Sequence, residues 1–138
     1  MSDGWLDRIR HLLHPGPPEE LGWIPLSAVA ELAWLLRGGL ARNVLVVCDN
    51  ASALDDISRD LIALAPESAP PPLCYPAWDA LPNSGFTPQP EITGDRLNTL
   101  QRLRSAAEPR VVASCVQALM QLAPEPGAVE AAAVRVAP

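Results

Sequence analysis

The stretch Asn43-Val-Leu-Val-Val-Cys-Asp-Asn50 decides the fold. Its aliphatic run, ending at Cys48, has β-branched residues and no polar alternation, which predicts a strand covered on both faces. Asp49 and Asn50 then offer caps for a helix from about 51 to 64, with Leu54, Ile57, Leu61 and Leu64 on one stripe. A strand running straight into a capped amphipathic helix is the first half of a βαβ unit. Upstream, Leu26, Val29, Ala30, Ala33, Trp34 and Leu36 predict an apolar helix from Pro25 to Arg37. Proline suits its first turn, and Gly38-Gly39 are expected to end it. Downstream, Pro66 to Pro72 is a connector and Leu73-Cys74-Tyr75 a short strand. A loop with four prolines follows from Pro76 to Pro90, then a helix from Glu91 to Ser105 carrying Ile92, Leu97, Leu100 and Leu103. Arg110-Val-Val-Ala-Ser114 reads as the third strand and Val116 to Leu122 as a last short helix.

The ends read differently. Trp5, Leu6, Ile9, Leu12 and Leu13 recur at helical spacing over residues 4–14, before Pro15-Gly16-Pro17-Pro18 stops them. Residues 1–19 are thus an amphipathic arm with a linker, residues 20–124 the domain, and residues 125–138 a tail. Pro124-Glu-Pro-Gly127 breaks the chain there, and the alanine- and valine-rich remainder is expected to add a strand or stay loose. Alternating strands and helices predict an α/β protein with a small parallel sheet flanked by helices. Ligands of such folds sit beyond the carboxyl ends of the strands. That edge offers Cys48, Asp49, Asn50, Tyr75, Trp78, Asp79, Ser114 and Cys115.

Composition excludes several chemistries. The 138 residues include 16 prolines and ten arginines but no lysine, with a formal charge of −6 and pI ≈ 4.7. An acidic chain argues against a strong nonspecific binder of nucleic acid or membrane surfaces. Without lysine there is no Schiff base and no phosphate-binding P-loop lysine. A test of the P-loop pattern from Gly22 places Ser27 where the second glycine belongs, Ala28 at the lysine and Val29 at the hydroxyl. Pro25 also removes one N–H from any phosphate nest. Three cysteines, 26 and 41 residues apart, fit neither a disulfide framework nor paired zinc-ligand spacing. They read as small buried side chains, and no metal or cofactor is expected. The first residues lack a signal peptide's basic and apolar regions, and no apolar run has the length of a membrane span, so a cytoplasmic location is expected.

The catalytic readings are thin. His11 and His14 lie in the arm, far in sequence from Ser114 and the cysteines. Asp49, Asp55, Asp56 and Asp60 give one helix an acidic, solvated face. Arg96, Arg102 and Arg104 scatter around their helix at 100° per residue, so direct DNA binding by this segment is not expected. One rival reading remains: a small α/β nucleotide- or phosphometabolite-binding protein or enzyme using Asp49, Asp79 and Ser114. Another is binding of branched or single-stranded DNA through Trp78, Phe86 and the arginines.

The segment Tyr75-Pro-Ala-Trp-Asp-Ala-Leu-Pro82, with Phe86-Thr-Pro88, Glu91-Ile92 and Arg96-Leu-Asn-Thr-Leu100, resembles a known family. It is similar to the N-terminal region of the bacterial transcription-repair coupling factors (Mfd family). Upstream, Leu21-Gly22, Val29-Ala-Glu-Leu-Ala33 and Asp49-Asn50 fit in order. Downstream, Val111-Val-Ala-Ser-Cys115 and Ala118-Leu-Met-Gln121 fit as well, so the resemblance covers roughly residues 20–124. That region is similar in turn to domain 1a of the excision nuclease subunit UvrB. The resemblance implies a truncated, degenerate P-loop NTPase-like module without motor chemistry, active in nucleotide excision repair through intramolecular or protein–protein contacts. It implies partners among other coupling-factor domains or proteins of the UvrA pathway. Trp78, Asp79, Leu81, Pro82, Phe86 and Arg96 become the signature-loop residues, as an interaction surface or as aromatics pinning a long loop. The sequence departs from the family at Pro25, at Asn83-Ser84-Gly85 and at Gly94-Asp95. The family's UvrA-engaging, polymerase-binding and translocase domains lie beyond the matched residues, and their activities are not carried over.

Overall fold

The computed structural model describes Leu12, His14 and residues 16–18, 20–80 and 85–132. The expected helix over residues 4–14 falls, Leu12 and His14 aside, outside the described residues, as do Leu81 and Pro82 of the signature loop.

The elements follow in the order α1 (Leu26–Leu40), β1 (Val44–Cys48), α2 (Ala51–Ala63), β2 (Leu73–Tyr75), α3 (Pro90–Arg104), β3 (Val111–Cys115), α4 (Val116–Met120) and α5 (Pro126–Ala132). All three strands are parallel, in the order β1-β3-β2. The protein is therefore α/β, with a small parallel sheet flanked by helices. The last strand in sequence occupies the centre, which is why every residue of β3 is buried.

The register divides the sheet into two faces. Cys74 pairs with Ala113, and its sulfur accepts a hydrogen bond from Ser58 of α2 at 3.7 Å. Residues 111, 113 and 115 thus face α1 and α2, and they are 0%, 1% and 0% exposed. Helix α2 delivers Leu54, Ile57 and Leu61 to this core, and α1 adds Ala30, Ala33 and Trp34. The Trp34 indole N–H donates to the Leu61 carbonyl at 3.0 Å, which joins the two helices and satisfies a buried donor. On the other face Tyr75 pairs with Ser114 and lies under α3.

Four expectations are corrected. First, α1 runs through Gly38-Gly39 to Leu40 and ends where Ala41 takes the left-handed conformation (φ 50°, ψ 40°). The Arg37 guanidinium anchors this last turn, since its Nε donates to the Pro109 carbonyl at 2.8 Å and its Nη2 lies 3.7 Å from Glu108. That tertiary tie outweighs the two glycines' poor helix propensity. Second, β1 is not covered on both faces. Leu45 and Val47 are 53% and 46% exposed, because β1 is an edge strand and α3 lies over β2 at the opposite edge. Third, α4 stops at Met120 rather than Leu122. Fourth, residues 126–132 of the expected tail form α5. Proline is tolerated at a helix start, the alanines that follow are strong helix formers, and Glu130 pairs with Arg104 of α3 at 3.3 Å.

Candidate functional site: the carboxyl edge of the sheet

Arg96 organises this edge. It projects from α3 on the stripe that also holds Ile92, Thr99, Leu100 and Leu103, and it is only 1% exposed. Its guanidinium lies between two aromatic rings, 4.1 Å from the centroid of Tyr75 and 4.5 Å from that of Trp78. Nη1 donates to the Pro76 carbonyl at 2.7 Å and to Gln121 Oε1 at 3.3 Å. Nη2 donates to the Tyr75 hydroxyl at 2.7 Å and to the Leu122 carbonyl at 3.3 Å. Gln121 Oε1 also accepts the Trp78 backbone N–H at 2.7 Å. One side chain therefore ties the end of β2, the start of the signature loop and the segment after α4 together. No carboxylate among the described residues pairs with Arg96, and its buried Nε has no partner there. Burial pushes the guanidinium below its ordinary range, while the Tyr75 hydroxyl opposes that shift.

The remaining signature residues divide. Trp78 is half-buried against Arg96, so it pins the loop. Asp79 is exposed, and its carboxylate accepts the Gln89 backbone N–H at 3.2 Å, which secures the residue preceding α3. Phe86 is 80% exposed, so the expectation that it pins the loop by burial is corrected. Gly85, just before it, has φ +75°, a left-handed conformation that turns the chain where only glycine is unstrained.

The rival catalytic residues serve local structure. The Ser114 hydroxyl is fully buried and donates to the Tyr75 carbonyl at 2.9 Å, bracing β3 against β2. Asn50 caps α2, its side chain accepting the Ala53 N–H at 2.9 Å. Asp49 is exposed beside it, and His14 is exposed. Cys48 and Cys115 are register partners, while Cys74 sits two residues back from that edge, beside Ala113. All three thiols are free. Burial pushes the Cys48 and Cys74 thiols up, and the nearby Asp49 adds to the effect at Cys48. A raised pKa favours the neutral thiol over the thiolate that a metal or a nucleophilic mechanism needs. Among the described residues no group of His, Cys, Asp and Glu is placed to hold a metal ion.

At the positions tested against the P-loop pattern, Gly22 and Ser27 are exposed, and Ala28 and Val29 half-buried. The Ala28 and Val29 N–H groups both bond the Pro25 carbonyl, at 3.0 and 3.2 Å, so those amides are engaged within the helix.

Sequence reasoning singled out Arg96 but placed it in a scattered basic patch, and it missed the role of Gln121. The signal for Arg96 was its spacing, which sets a charged residue four after Ile92 and four before Leu100. A cation on an apolar stripe must find partners inside the protein. No protein-family model, curated protein or solved structure matches the chain. No helix among the described residues is long and apolar enough to cross a membrane.

Proposed function

We propose that this chain is a non-catalytic, UvrB-like module of a transcription-repair coupling factor, with a degenerate P-loop NTPase-like fold, and that it serves transcription-coupled nucleotide excision repair. It works by contact with other coupling-factor domains or with excision-repair proteins of the UvrA pathway, not by binding DNA directly. The observation that supports this reading is the Arg96 cluster. Its members come from three separate segments that carry the resemblance: Tyr75 to Trp78, Arg96, and Gln121. Residues matched far apart in sequence interlock in space, as expected when a signature records a packing unit. The missing lysine and the engaged amides at Ala28 and Val29 favour the non-catalytic side of the reading.

The test has two arms. Calorimetric titration of the purified chain with ATP and ADP, together with a phosphate-release assay, is expected to give neither saturable heat nor turnover; either signal overturns the non-catalytic assignment. In cells, disrupting the gene is expected to abolish the faster repair of ultraviolet lesions on transcribed strands. An unchanged strand bias overturns the repair assignment.

A further inference from the structure

The face of the sheet under α3 is only half covered. Helix α3 lies over β2, while Leu45 and Val47 stand open on β1. Here runs an apolar groove of about 290 Å³, lined by Leu45, Val112, Leu100, Leu103 and Leu119. The polar side chains that reach it are already engaged. Ser114 and Thr99 donate to the Tyr75 and Cys74 carbonyls, at 2.9 and 2.6 Å. The Tyr75 hydroxyl accepts from Arg96, and Gln121 Oε1 accepts from Arg96 and from the Trp78 N–H. A polar metabolite therefore finds little to fix its orientation, and the groove selects an apolar occupant.

The amino end of this face is basic, in a chain whose formal charge is −6. Arg110 directly precedes β3, and strand alternation sets it on the face of Val112 and Ser114. It is half-buried, and its Nε and Nη1 have no partner among the described residues. Arg42 stands at the same end, two residues ahead of β1. So does Arg102, because α3 returns from the end of β2 towards the start of β3. Arg104 is taken by Glu130 and Arg37 by Glu108, but Arg42, Arg102 and Arg110 form no ion pair among the described residues.

We infer that the groove receives an acidic amphipathic helix of a partner protein. Its apolar stripe lies on Leu45, Leu100, Leu103 and Leu119, and its carboxylates meet Arg110 and Arg42. Parallel sheets are covered by helices on both faces, and a helix enters a groove through anchors at i, i+3, i+4 and i+7. The five residues of β1 span about 17 Å, which a helix of about eleven residues matches at 1.5 Å each. A guanidinium without a carboxylate at the end of an apolar groove suits an acidic side chain, to which it offers charge-assisted, paired N–H donors. This occupant gives the protein contact of the proposed function a chemical form. It stands or falls by peptide binding, apart from ATP binding or repair.

Fluorescence anisotropy on the full chain tests this with two synthetic peptides of about twelve residues. Both carry leucines at i, i+3, i+4 and i+7; the charged positions are glutamates in one and lysines in the other. The acidic peptide is expected to saturate with a Kd on the order of 100 µM. The basic one should bind at least about tenfold more weakly, although the chain's net charge alone favours it. Leu45→Glu and Leu119→Glu, both at exposed positions, should each weaken the acidic peptide by about tenfold or more. Arg110→Gln should bring the two peptides within about twofold of each other. An unchanged circular-dichroism melting curve shows that a variant folds. No saturation by the acidic peptide at about 1 mM overturns the inference. So does equal or tighter binding of the basic peptide, or an affinity unchanged in both leucine variants. Self-association in sedimentation that Leu45→Glu abolishes also overturns it, by assigning the groove to a second copy.

Discussion

Replacing Arg96 by methionine separates a structural lock from a surface arginine. Methionine retains an unbranched apolar stem, so packing along α3 is largely kept. What goes is the guanidinium, with two bonds at 2.7 Å, two at 3.3 Å and two ring stacks. Each short charge-assisted bond contributes about 1.5–3 kcal/mol net, and each stack about 0.5–2 kcal/mol. Against this, removing a buried cation relieves a desolvation cost of several kcal/mol. The balance is set by what stays behind, because the Pro76 carbonyl and the Tyr75 hydroxyl lose a donor at about 1–3 kcal/mol each. The expected net loss is about 2–4 kcal/mol, or a fall of about 10 °C in the thermal midpoint. Urea unfolding followed by tryptophan fluorescence measures it. Arg102→Met, at an exposed position of the same helix, is expected to stay within about 0.5 kcal/mol of wild type. Arg96→Lys keeps the charge but not the planar fork, and should fall between the two. An Arg96→Met protein as stable as wild type, or a loss matched by Arg102→Met, refutes the lock.

Two backbone substitutions and one titration extend the tests. Ala41→Gly relieves a left-handed alanine and Gly94→Ala fills open space on α3, so each is expected to raise stability by about 0.5–1 kcal/mol in the same urea assay. The thiols of Cys48 and Cys74 titrate above their ordinary 9.0 in the folded protein. The unfolded chain therefore ionises first, so their contribution is complete below about pH 9 and is lost as pH rises through the folded values. Unfolding curves at increasing alkalinity should show this decline, and a Cys48→Ala, Cys74→Ala variant should show a shallower one.

Elements were legible where local pattern and tertiary need agreed. The strand at 44–48 and the cap at Asn50 follow from β-branching and side-chain oxygen chemistry, which act within a few residues. The coverage of β1 was not legible, because an aliphatic run looks alike at a sheet's centre and at its edge. Only the strand order, which puts β3 between its predecessors, decides that Leu45 and Val47 meet solvent. The end of α1 was misjudged for a related reason. Gly38-Gly39 are a local stop signal, and the Arg37 contacts that override it reach 72 residues along the chain to Pro109. At 126–132 the proline was read as a break, although a proline that stops one helix can begin the next.

The site shows a sharper limit. Tyr75, Trp78, Asp79 and Ser114 were singled out because parallel sheets bind ligands at this edge, and the residue types are those that binding would use. In the structure most of the same chemistry faces inward: Ser114 braces two strands, and Tyr75 and Trp78 enclose a cation that no described carboxylate neutralises, while the exposed Asp79 holds the entry to α3. Polar groups engaged this way are costly to withdraw, since each leaves a buried partner unsatisfied. An edge built so is suited to holding a long loop in one conformation, and poorly suited to exchanging those bonds for a ligand's. Under the proposed function, the apolar surfaces open to a partner include Phe86 beyond the pinned loop, Trp23 ahead of α1, and the groove beside β1.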